Sequence, residues 1–322
     1  MIRPKEPNGI LRMRQPIHVA LPAVLLLAIL AVQGCAHSAP EAPAELDRAS
    51  LENLAYPGIA DDGAVVQLRD GQWKGPPPDP GSALLPAVDL AGDLIARGDL
   101  DGDAIPEAAV LLVSQPGGSG TFSYIAVVSG SSGVPRVIAT ALLGDRVQVR
   151  AIRIEDAGVI VDMRGHGPDD PSCCPSLHLR QTWRLRGTAL EEDTAARTSA
   201  KTAISELDDT DWELARWSAE EPALPAPVVT LGIAGGRLSG HAGCNRFGAA
   251  VRDGASPGDL VVSAAMATRM ACEETRMRTE ARFLELLPTV TGFRYDQGKL
   301  MLAYRRDDGG GAELWFRVGS AD

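Results

Sequence analysis

The sequence predicts a mainly β, or α+β, protein: an antiparallel β-rich N-terminal domain followed by a second β domain that carries one packed helix. Three observations lead there. Short apolar runs, broken by Gly, Pro and Asp, recur at roughly 8–12-residue spacing between 50 and 190, the rhythm of strands and turns. Only one long segment, Glu273 to Leu287, places apolar residues at steps of three and four ahead of a proline. With 45% hydrophobic and 23% charged residues, the chain has enough apolar surface for a packed core. A length of 322 residues suits about two domains. The 42 acidic residues outnumber the 31 basic ones, for a formal charge of −11. Nucleic-acid binding needs clustered Lys and Arg, so no nucleic-acid partner is expected.

In chain order, residues 19–32 are a 14-residue apolar run behind Arg3, Lys5, Arg12 and Arg14. The run is shorter than the roughly 20 residues of a spanning helix and has a basic leader, so 1–34 reads as a secretory signal. Met13-Arg14-Gln15 would begin a compact signal of its own. The run ends in Val32-Gln33-Gly34-Cys35, which resembles the bacterial lipobox. That resemblance implies a diacylated Cys35 as the first mature residue and a membrane partner reached through it. Two acyl chains suffice for stable anchoring. By resemblance to enterobacterial sorting rules, Ala36 points to the outer membrane of a Gram-negative host, facing the periplasm. Removing 1–34 takes away four basic residues and Glu6, which deepens the formal charge to −14. Residues 35–49 read as a Pro- and Ala-containing tether.

From 50 to 190 the strand signals run in order. Residues 64–68, Asp70-Gly71 and Trp73 form a hairpin pattern. The runs 108–114, 122–129, 137–143, 147–154, 159–163 and 177–185 follow in the same style. Gly117-Gly118-Ser119-Gly120-Thr121 lies between two of them and reads as a turn. It lacks the strand-to-helix setting of a nucleophile elbow and the Lys of a phosphate loop. His166, Asp169, Asp170, Cys173, Cys174 and His178 are metal-capable residue types without metal-site spacing. In an oxidising compartment Cys173 and Cys174 bond to each other, pair elsewhere or stay reduced.

The most chemically suggestive stretch is 98–107. Asp99, Asp101, Asp103 and Glu107 occupy positions 1, 3, 5 and 9 of a loop, and Ile105 offers a backbone carbonyl at position 7. This spacing lets oxygens converge on a structural calcium, the one cofactor the sequence suggests. The stretch is similar to the Asp-rich loops of FG-GAP and dockerin-like modules. It departs from them at Ala104, where a Cβ opposes the positive φ of a sharp turn. The alternative is an acidic solvated turn before a strand.

Residues 191–205, rich in Glu, Thr and Ala, read as a linker. The second domain, 206–319, opens with Thr210-Asp211-Trp212-Glu213-Leu214. It continues through the run from Ser239 to Gly248, which contains Gly243-Cys244-Asn245-Arg246-Phe247, and through Met266-Ala267-Thr268-Arg269-Met270-Ala271-Cys272. It closes with Lys299-Leu300-Met301-Leu302. With these motifs in this order, the region resembles the META (HslJ-like) domain family of bacterial lipoproteins, which implies an envelope setting and an association with stress. The residues themselves predict a helix with Met277, Ala281, Leu284 and Leu287 on its packed face, ended by Pro288. Cys244 and Cys272 lie far enough apart that oxidation would close a loop worth about 3 kcal/mol. Asn245 and Arg246 are a candidate binding pair, or else loop residues that satisfy turn geometry.

The function expected is that of a non-enzymatic, lipid-anchored envelope protein serving envelope maintenance, stress tolerance or binding of an unidentified envelope protein or ligand. No catalytic residue is assigned. Beyond the tether only His166, His178 and His241 remain, and none has a recognisable partner motif. The alternatives are a hydrolase with its site in 50–190 and a calcium-dependent adhesion or ligand-binding module.

Overall fold

The computed structural model describes residues 42–60, 63–77 and 84–319. The signal segment 1–34, Cys35 and the first part of the tether lie outside the described residues. A short helix, α1 (Arg48–Glu52), starts at the N-cap Asp47, whose carboxylate accepts the Ser50 N–H at 2.8 Å. Strand β1 (Ala55–Tyr56) pairs with β2 (Val66–Gln67). Asp70 and Gly71, at φ 51° and 79°, then turn the chain into β3 (Gln72–Lys74). Two successive left-handed residues are what a tight hairpin turn requires, and Asp-Gly supplies them cheaply.

Next come β4 (Ala87–Gly98), β5 (Glu107–Gln115), β6 (Phe122–Ser129) and β7 (Arg136–Asp145), which with β3 form a five-stranded antiparallel sheet in sequence order. A second antiparallel sheet holds β8 (Gln148–Glu155), β9 (Gly158–Gly165), β10 (Leu177–Arg186) and β11 (Ala189–Glu192), and β12 (Thr198–Lys201) also pairs with β10. One face of the first sheet packs Leu111, Ile125 and Val127 against Val149, Val161 and Met163 of the second. Its other face packs Val110, Leu112 and Val128 against Leu51, Tyr56 and Ile59. β5 is thus covered on both sides, and its sequence from Ala108 to Val113 is continuously apolar where a half-buried strand would alternate.

Two expected boundaries shift. The tether was expected to reach residue 49, yet Leu46 is buried and the Ala44 N–H donates to the Gly130 carbonyl at 2.9 Å, so the fold begins earlier. Residues 191–205 are not a free linker. β11 and β12 extend the second sheet, and the 3-10 helix Ile204–Leu207 buries Ile204 and Leu207. Their polar composition misled because β12 is exposed along its whole length, an edge that needs no apolar side chains.

The second lobe contains β13 (Thr210–Arg216), β14 (Thr230–Ala234), β15 (Arg237–His241), β16 (Arg246–Asp253), β17 (Leu260–Val262) and β18 (Met266–Ala267). Helix α2 (Glu274–Leu286) and strands β19 (Val290–Asp296), β20 (Lys299–Arg305) and β21 (Gly311–Val318) complete it. The antiparallel order is β17-β16-β15-β14-β13-β21-β20-β19, with β18 beside β16. The two end strands meet: Asp259 bridges Gly292, and the Phe293 N–H donates to the Gly258 carbonyl at 2.9 Å. The sheet therefore curls back on itself, and closure protects its edges.

α2 covers this sheet with part of the expected face, since Leu284 and Leu287 pack against the core and Met277 and Ala281 do not. Phe283 and Leu287 are fully buried, whereas Met277 is 44% exposed and Ala281 is also exposed. Phe283 meets the Phe247 ring edge-on at 5.2 Å. The inward ridge runs Thr275, Thr279, Phe283, Leu287 at steps of four. Its first two members are polar by composition and half-buried in fact, which hid the true face.

Candidate functional site

Three places gather the polar residues of interest. The first is the acidic loop between β4 and β5. Asp99 accepts the Gly102 N–H at 2.7 Å and the Ala104 N–H at 3.1 Å, Asp101 accepts the Asp103 N–H, and Asp103 accepts the Ile105 N–H at 2.7 Å. Ala104 was expected to resist a positive φ, yet it sits at φ 65°. The Asp99 carboxylate holds its N–H in place and offsets the steric cost. Asp99, Asp101 and Glu107 each bring a carboxylate oxygen within 4.8 Å of the others, and among the described residues they are the group of three or more able to hold a metal ion. Asp103 does not join that group. Glu107 is fully buried at the start of β5. Its Oε2 accepts the Leu100 N–H at 3.0 Å, and the Ser129 hydroxyl also lies against the carboxylate. Burial pushes its pKa above the usual range, and the nearby Asp101 and Asp103 carboxylates push it the same way.

The second place is the seam between the lobes, where β9 interrupts an apolar strand with Asp162 and Arg164. Arg164 is buried, and its Nε donates to Glu206 Oε2 at 3.2 Å and its Nη1 to the Phe293 carbonyl at 2.8 Å. Its guanidinium lies 3.8 Å from the centroid of the Phe293 ring. Gly258, at φ 84°, passes close by, and a Cβ there would stand 3.1 Å from Arg164 Nη1. Arg150 donates to the Glu206 carbonyl at 2.9 Å and to Asp162 Oδ2, whose Oδ1 lies 2.7 Å from His178 Nε2. Backbone bonds add to the seam: the Gly298 N–H reaches the Val149 carbonyl at 3.0 Å, and the Tyr295 N–H reaches Gln148 Oε1 at 3.1 Å. No motif flagged these residues. The signal was present in Gly158-Val-Ile-Val-Asp-Met-Arg-Gly165, two opposite charges inside a core strand.

Asp162 makes this seam acid-sensitive. Burial pushes its pKa up, but hydrogen bonds and charge from His178 and Arg150 outweigh burial and bring it down to about 2. A carboxyl whose folded pKa lies below its ordinary 3.8 stabilises the fold above about pH 4, and that contribution of about 2 kcal/mol is lost as pH falls towards 2. Urea unfolding of wild type and Asp162→Asn, compared near neutral and acid pH, checks this. The stability gap between them is expected to narrow in acid, and a gap that ignores pH would refute the assignment.

The third place is the corner where β16 begins. Cys244 and Cys272 are disulfide-bonded, with Cα atoms 5.9 Å apart, and Cys173 is bonded to Cys174. Asn245 is buried rather than presented. Its Oδ1 accepts the Met270 N–H and the Thr268 hydroxyl, both at 2.8 Å. Its Nδ2 donates to the Met270 carbonyl and to Glu280 Oε1, both at 3.2 Å, and its own N–H donates to Glu280 Oε2. Arg246 is exposed. Asn245 thus has the loop role, tying the 268–272 segment and α2 to β16.

The remaining candidates separate. Asp170 accepts the Gly167 and Ser176 N–H groups and the Ser176 hydroxyl, and so clamps its own loop. His241 Nδ1 accepts the Gly243 N–H at 3.2 Å. His178 with Asp162 is the nearest approach to a base and its orienting acid. Among the described residues no Ser hydroxyl or Cys sulfur hydrogen-bonds to that imidazole. A groove of about 720 Å³ on the second lobe passes Arg282, Tyr304, Glu313 and Trp315 and contains no His. No helix of the described residues is long and apolar enough to cross a membrane.

Residues 205–312 match the family model of the META domain, so the C-terminal third of the chain contains a META domain. The structural lobe runs slightly further, because β21 pairs with β13 up to Val318. No curated protein matches the chain. A solved structure described as "NMR structure of the protein from Burkholderia xenovorans" is 26% identical over 37% of this chain and 87% of that chain, with a TM-score of 0.29.

Proposed function

We propose that the chain is a lipid-anchored cell-envelope protein, attached through a diacylated Cys35, whose two β lobes bind an envelope component in envelope maintenance or stress tolerance and catalyse no reaction. The division of the five cysteines carries this reading. Four are paired within the folded lobes, as suits an oxidising compartment outside the cytoplasm. The fifth, Cys35, stands directly behind the apolar run. The META domain supports the envelope setting through its resemblance to bacterial lipoproteins. Ala36 after Cys35 favours the outer membrane, facing the periplasm. A body with formal charge −14 is repelled by an anionic bilayer, so the lipid must supply the attachment.

Cys35→Ser is expected to move the protein from the membrane pellet to the soluble fraction and to abolish incorporation of labelled palmitate. Retention in the pellet after a carbonate wash, with labelling unchanged, would overturn the anchor.

A further inference from the structure

We propose that the Cys173–Cys174 disulfide is a reversible redox site, an exposed two-electron acceptor for dithiols, whereas Cys244–Cys272 is a structural staple. Cys173 and Cys174 are adjacent in sequence and both exposed, in the loop that joins β9 to β10. Cys244 is 2% exposed, and its bond to Cys272 spans a sequence separation of 28. A disulfide stabilises a fold mainly by closing loops in the unfolded chain, and a bond between neighbours closes none. Stability therefore gives no account of Cys173–Cys174. Exposed disulfides are the ones that attacking thiolates reach, and the labile, regulatory bonds are drawn from them.

The loop keeps its shape by other means. Asp170 accepts the Gly167 N–H at 2.7 Å and the Ser176 N–H and hydroxyl, both at 2.8 Å. The Cys174 N–H donates to the Pro171 carbonyl at 3.0 Å, and Pro175 is buried. None of these contacts uses a sulfur, so the bond can open without unfolding the loop. The partner is a dithiol, free or carried on a protein. One of its thiolates attacks a sulfur of the pair, forms a mixed disulfide and expels the other cysteine as a thiolate, which takes up a proton. The donor's second thiol, deprotonated in turn, attacks the donor sulfur of the mixed disulfide and releases the remaining cysteine. Two electrons and two protons thus pass from the dithiol, which leaves as a disulfide, to Cys173 and Cys174, which become thiols. This proposal goes beyond the anchoring function and does not depend on it, because both cysteines belong to the folded first lobe.

The test uses the full chain in detergent, treated with dithiothreitol, quenched with acid and alkylated, with each cysteine read separately by mass spectrometry. Cys173 and Cys174 are expected to resist alkylation before reduction. They are then expected to become labelled together, at least about tenfold faster than Cys244 and Cys272, whose exchange waits for local opening. Oxidised glutathione is expected to restore the bond once dithiothreitol is removed. Cys173→Ser combined with Cys174→Ser is expected to keep Tm within about 2 °C of wild type. Reduction of Cys173–Cys174 no faster than that of Cys244–Cys272, or alkylation before any reductant is added, would overturn the site. Failure of oxidised glutathione to restore the bond would overturn its reversibility. A larger loss of Tm in the double variant would make the bond a structural staple and overturn the proposal as well.

Discussion

Arg164→Ala is expected to lower the unfolding free energy by about 3–5 kcal/mol, the range for breaking a buried ion pair from one side. The guanidinium touches three things at once: the Glu206 carboxylate, the Phe293 carbonyl and the Phe293 ring. Truncation leaves Glu206 buried, with Oε1 on the Ala203 N–H and Oε2 facing a cavity. The pair is not optimal even in the intact protein, because Arg164 Nη2 is buried without a partner. A double replacement, Arg164→Met with Glu206→Leu, is therefore expected to recover most of the loss, since apolar residues of similar volume avoid the desolvation cost altogether. Chemical denaturation with urea measures both variants. A loss below about 1 kcal/mol for Arg164→Ala would show that the pair behaves like a surface bridge and does not fasten the lobes.

Asn245→Ala is expected to cost about 3 kcal/mol or more. Removing one side of a buried hydrogen bond leaves the other side unsatisfied, at about 1–3 kcal/mol for each exposed deficit. Five side-chain bonds end on Asn245, and the groups stranded would include the Met270 N–H and one oxygen of Glu280. Asn245→Asp sharpens the test: it keeps the acceptor, loses the donor and sets a negative charge against Glu280, so it should be at least as harmful. Arg246→Ala, next in sequence but exposed, should change stability by less than about 0.5 kcal/mol. If Asn245→Ala unfolds with the wild-type midpoint, the residue does not clamp the corner, and a binding role becomes the better account.

The fold was legible wherever a strand or helix announces itself locally. The Asp70-Gly71 turn, the strands from β5 to β10, the existence of α2 and the Cys244–Cys272 pair all follow from residues close together in sequence or from the motif order of the META domain. Burial of α2 was less legible, because Thr275 and Thr279 pack inward while Met277 faces out. A period of 3.6 fixes which residues share a face but not which face meets the sheet.

The class of the fold, the two β regions, the acidic loop and the chemical identity of every candidate ligand are readable along the chain, because they rest on local propensity and on spacing. What the polar residues do was settled by folding. It buried Glu107 against Asp99 and Asp101, turned Asn245 inward onto Met270 and Glu280, and set Arg164 between Glu206 and Phe293, a residue 129 positions away in the chain. A polar side chain acquires its role from the partners and the dielectric around it. Both are set by contacts between distant segments that no local pattern encodes.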